Sequence, residues 1–176
     1  MSAWPKPATA ALLLLLPGHA LGQKKIGKLE KNVQQLERKY HDQKKPVDRA
    51  KAFAKLLPRA VEEATLEIQR GAVQRGIGRL ERLRKEAHEV HDALIVAVRN
   101  PVSHSNGFVQ LQVALRESVR QLRDTLDVVP FQQRDHIAAA RADFQQINNE
   151  LLQELFPPPP PSKPRKKKHA VTGVLP

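Results

Sequence analysis

The 176-residue chain has no cysteine. That excludes disulfides and thiolate metal sites, so packing alone must hold the fold. Aromatic residues are equally scarce: Tyr40 is the only tyrosine and Trp4 the only tryptophan. None is interleaved with the basic residues after Phe156, so base stacking is not on offer there. There is no Gly-x-Ser-x-Gly turn and no glycine loop of phosphate-binding spacing, which removes the common signatures of hydrolases and nucleotide-binding enzymes. Sustained period-two alternation is missing too, so no sheet is expected.

Long apolar runs are also lacking. The only one, Ala8 to Leu16, stops at Pro17 and Gly18, well short of the roughly 20 residues that span a bilayer. With Lys6 before it and the small residues Ala20 and Gly22 after it, residues 1–22 read as a secretory signal, and the mature chain begins at Gln23. A periplasmic or secreted location follows. No cysteine follows the apolar stretch, so there is no acceptor for lipid attachment.

Charge is abundant but unevenly placed. The total is +12. Residues 23–45 carry +5 and residues 157–176 another +5, while residues 46–156 carry only +1. A nearly neutral body is thus flanked by two basic ends.

Helical spacing fills the body. Ile26, Leu29, Val33, Leu36 and Tyr40 step by three and four, the narrow seam of a helix that needs a partner surface. That seam either docks on the rest of the chain or pairs two copies into a homodimer through residues 26–40. Lys45-Pro46 breaks the run, because a residue before proline avoids helical geometry. Val47, Ala50, Ala54, Leu57, Val61, Ala64 and Ile68 mark a second helix, with Pro58 predicted to kink or interrupt it. Gly71 closes that helix. Ile77, Leu80, Leu83, Ala87, Val90, Leu94 and Val98 mark a third, its start weakened by Gly76 and Gly78. After a polar loop from Asn100 to Gly107, Phe108, Leu111, Leu115, Val119, Leu122 and Leu126 mark a fourth. Beyond Val129-Pro130, Ile137, Ala140, Phe144, Ile147, Leu151 and Leu155 mark a fifth. The expectation is an all-α, antiparallel, up-and-down bundle of four long helices over residues 46–156, with a shorter basic N-terminal helix over 23–45.

Two stretches carry resemblances. Ala64, Gly71, Gly76, Leu80 and Leu83 form a hairpin pattern that resembles one degenerate tetratricopeptide-type helix pair. The stretch Gly107 to Glu117, with Leu155-Phe156-Pro157 closing the domain, resembles exported bacterial helical proteins of unknown function. Neither resemblance implies an activity.

Two histidines are candidate metal ligands. His88, His91 and Asp92 share a helix, but His-Glu-Val-His is one residue short of the zinc-protease spacing and lacks the Glu-x-x-His of di-iron bundles. The reading is solvated surface, with no metal and no cofactor. Ser103, His104 and Ser105 read as a polar loop rather than a catalytic set, and Asp124 with Asp127, or Glu150 with Glu154, as ordinary helix carboxylates. No catalytic residue is assigned.

The tail is the most distinctive segment. Pro157 to Pro161 predict an extended spacer of about 3 Å per residue within a disordered stretch over 157–176. Beyond it, Lys163, Arg165, Lys166, Lys167 and Lys168 form a cluster suited to a polyanion such as an anionic envelope surface. Pro161 to Arg165 also match a PxxP pattern. The sequence thus points to a non-enzymatic exported helical bundle that binds or scaffolds a protein partner and attaches electrostatically through its tail. Polyanion binding as the main task, and a histidine-dependent metal site or hydrolase, stand as alternatives.

Overall fold

The computed structural model describes residues 19–98, 101 and 105–157, with side chains described from residue 26 onward. Within these residues the chain is all-α, and its five helices are α1 (His19–His41), α2 (Pro46–Gln69), α3 (Val73–Ala97), α4 (Asn106–Leu126) and α5 (Phe131–Leu155). Residues 1–18 and the tail cluster Lys163, Arg165, Lys166, Lys167 and Lys168 lie outside the described residues.

Local chemistry sets most boundaries. Lys45 is extended (φ −83°, ψ 130°), as the residue before a proline must be, and Pro46 sits in the first turn of α2 where its missing N–H is harmless. Gly71 takes φ 86°. Its N–H donates to the Ile68 carbonyl at 3.0 Å and that of Ala72 to the Glu67 carbonyl at 2.9 Å, the paired bonds of a Schellman stop. α2 runs unbroken through Pro58, so the predicted interruption does not occur. The ring deprives the Ala54 carbonyl of its helical donor.

Consecutive helices run in opposite directions, as the short turns at Gly71 and Pro130 imply. Around the bundle, however, the order is α2, α3, α5, α4. The connection from α3 to α4 crosses the diagonal, setting α2 beside α4 and α3 beside α5 in parallel. Gly107, at the start of α4, lies against Val47 at the start of α2 and Leu94 at the end of α3. Arg84 and His91 of α3 reach Asp143 and Glu150 of α5 in the same order. The molecule is thus two helical hairpins laid side by side.

α2 is the hub, packing on α1, α3 and α4. Three-sided packing explains why Phe53, Leu56 and Ala60 join Ala50, Leu57, Val61, Ala64 and Ile68 in the core. One apolar stripe at helical spacing serves a single face; a central helix needs more. α3 approaches α2 so closely at Gly76 that a Cβ there would stand 2.5 Å from the Ala64 carbonyl oxygen. Gly76 therefore weakens the helix locally but permits the contact.

α1 docks on α2 through Val33 and Tyr40, both buried, with Leu29 and Leu36 packed partly against the core. Its seam is the one expected either to dock or to form a homodimer; within one chain it meets α2. α1 spans His19–His41, so its first four residues precede Gln23. No helix among the described residues is long and apolar enough to cross a membrane.

Candidate functional site on the outer face of α4

The inner face of α4 follows the expected stripe: Phe108, Leu111, Leu115 and Leu122 are buried, with Val119 and Leu126 half-buried. Its outer face does not follow the rule for a solvated helix. Val109 and Val113, one turn apart, are 44% and 48% exposed. Other exposed large apolar side chains, Val96, Val128, Phe131 and Phe156, stand at or beyond helix ends.

On one side of this ridge, α4 and α2 leave a groove of about 530 Å³ whose floor and walls include Ala54, Pro58, Val109, Val113 and Ala114. Pro58 explains part of its character. Its ring presents apolar carbon to the wall. Lys55 and Arg59 line the α2 edge, and Arg59 is held at 2.9 Å by Glu62.

On the other side of the ridge, α4 and α5 form a second groove of about 530 Å³. Arg116, Arg120 and Arg123 line it from α4, and Arg141 and Gln145 from α5, with Val119 on its wall. Glu117 is its only carboxylate. Arg120 Nη2 contacts Glu117 at 3.1 Å and Arg123 Nη2 contacts Asp124 at 3.1 Å. Val113 and Glu117 belong to both grooves, which therefore adjoin along α4.

The histidines are separated by the fold rather than gathered. His88 Nε2 stands 4.0 Å from Asp143, which already accepts a 2.6 Å hydrogen bond from Arg84 Nε. One turn further along, His91 Nδ1 stands 3.3 Å from Asp92 and 3.7 Å from Glu150. It is buried rather than the solvated residue expected, and its Nε2 has no hydrogen-bond partner. His91, Asp92, Glu150 and Glu154 share a groove with Ile95 and Val96. Among the described residues no three of His, Cys, Asp and Glu gather to hold a metal ion. Ser103 and His104 lie outside the described residues, and Ser105 precedes α4 without a side-chain cap. Asp124 pairs with its neighbour Arg123, and Asp127 follows the end of α4.

A partly buried ionic cluster fastens α1. Arg79 of α3 reaches Glu37 of α1 at 3.3 Å and Glu63 and Glu67 of α2 at 3.1 and 3.7 Å. Burial pushes the Glu63 carboxyl above its ordinary range, and Arg79 partly offsets this. Burial likewise raises Glu86, against the lowering influence of His41 and Arg82.

The outer face of α4 was absent from the expected sites, although its spacing was readable. Val109 and Val113 fall off the core stripe, and Arg116, Arg120 and Arg123 follow at intervals of four and three. Comparison of the chain with protein-family models, curated proteins and solved structures finds no match.

Proposed function

We propose that the chain is a non-enzymatic, exported interaction module whose docking face is the α2–α4 groove. The observation that carries this reading is the Val109–Val113 ridge, half-exposed along the N-terminal half of α4 beside Pro58 and Ala54. Exposed apolar side chains contiguous with a groove and rimmed by charge are the usual mark of a binding surface. Lys55 and Arg59 along the α2 edge favour an acidic amphipathic segment, apolar on the side that enters the groove. The tail cluster Lys163, Arg165, Lys166, Lys167 and Lys168 adds electrostatic attachment to an anionic envelope surface.

The test is a photo-crosslinking amino acid placed at Val109 in the producing cells. A control is placed at Glu81, an exposed position on α3. A discrete protein product formed from position 109 and absent from position 81 supports the reading. Products of equal yield from both positions, or none from either, would overturn it.

A further inference from the structure

We propose that the arginine-lined groove between α4 and α5 is a binding site for a short chain of linked phosphates. The first observation is convergence. Residues 46–156 carry a net charge of only +1, yet four arginines from two helices line one cavity. With Glu117 as the only carboxylate on the wall, the lining carries +3. Like charges brought together repel, so such a gathering is stabilised by an anion seated among them.

The second observation is availability. Arg120 and Arg123 hold carboxylates of their own helix, but those contacts are solvent-exposed and adjacent or one turn away. Pairs of that kind contribute little and yield readily to a stronger acceptor. Arg116 and Arg141 form no ion pair among the described residues and face the cavity from opposite helices. Their planar, permanently charged forks match phosphate oxygens in bidentate fashion.

Shape selects among anions. A volume of about 530 Å³ suits a small ligand enclosed on two sides and is more concave than a flat membrane surface requires. Linked phosphates offer more acceptor oxygens than a single orthophosphate and can engage arginines of both helices at once. Gln145 supplies a neutral amide donor on the α5 side. The site is distinct from the tail; it shares Val113 and Glu117 with the docking face, but its four arginines do not line the α2–α4 groove.

Calorimetric titration of the full chain with sodium tripolyphosphate, and separately with orthophosphate, tests this. Tripolyphosphate is expected to bind one per chain, with an affinity that falls steeply as salt rises. R116A/R141A is expected to weaken it at least about tenfold, with unchanged thermal unfolding because both positions are exposed. R116K/R141K keeps the charge but loses the fork and is expected to fall between. Replacing Lys163, Arg165, Lys166, Lys167 and Lys168 with Gln is expected to leave the affinity within about twofold. Undiminished binding by R116A/R141A, loss of binding with the tail charges, or equal affinity for orthophosphate would each overturn the proposal.

Discussion

Arg79 Nη1 stands 3.1 Å from Glu63 Oε2, a carboxylate oxygen that is buried and has no aligned hydrogen bond. The contact is Coulombic, and it joins α3 to α2 at the point where Glu37 brings α1 into the same cluster. Removing one partner strands the other. Arg79→Met is expected to destabilise the chain by about 2–3 kcal/mol, because Glu63 is left buried without compensation. Adding Glu63→Gln is expected to recover part of that loss. Urea unfolding of the two single variants and the double variant measures the coupling, and strictly additive losses would show that the pair does not interact.

The same carboxyl sets a pH dependence. Its folded-state pKa lies above the ordinary value of 4.5, so the native chain holds that proton more tightly than the unfolded chain. The stability it contributes is therefore greatest at low pH and declines as pH rises through the raised range. The stability of Glu63→Gln measured against wild type is expected to shift in favour of the variant as pH rises above about 4.5. Paired urea midpoints across that range provide the check; a gap that stays constant contradicts the assignment.

Three glycines are expected to respond differently to alanine. Gly76→Ala places a Cβ 2.5 Å from a backbone carbonyl and from Ile68, and forces α2 and α3 apart; the expected loss is about 2–3 kcal/mol. Gly71→Ala is strained by φ 86° alone, at about 1–2 kcal/mol. At Gly78 nothing lies within 4 Å and the residue is helical, so alanine is expected to stabilise by about 0.5–1 kcal/mol. Thermal melts of the three variants test this order, with a stabilised Gly76→Ala as the contradicting result.

Tyr40 ties α1 to the bundle. Its ring is buried at 5.3 Å from that of Phe53, and its hydroxyl accepts a 3.0 Å hydrogen bond from Arg49. Tyr40→Phe is expected to cost about 1 kcal/mol and Tyr40→Ala about 3–5 kcal/mol. Because Val33 and Tyr40 are satisfied within one chain, sedimentation of the full chain is expected to report a monomer. A concentration-dependent dimer abolished by substitutions in residues 26–40 would favour the pairing reading instead.

Much of this fold was legible in the residues, for a physical reason. Steps of three and four from Ile137 to Leu155 assign one face of α5 to the core, and Ile137, Ala140, Phe144, Ile147 and Leu151 are indeed buried there. Spacing does not reveal how many faces a helix must bury, so the burial of Phe53 and Leu56 in the central α2 was not foreseen. Nor does it reveal which helices become neighbours. Arg116, Arg120 and Arg123 form a visible row, but only the packing of the α4–α5 hairpin settles which side of α5 lines their groove and so includes Arg141. His91 was read as solvated because its burial depends on Glu150 of α5, 59 residues further along.

The docking face on α4 is tested most directly by Val113→Asp introduced into the chain that carries the crosslinker at position 109. Val113 lies outside the core, so thermal unfolding is expected to match that of the parent to within about 0.5 kcal/mol. With a charge in the groove, the product formed from position 109 is expected to disappear. The same product at the same yield, from a protein of unchanged stability, would contradict the account.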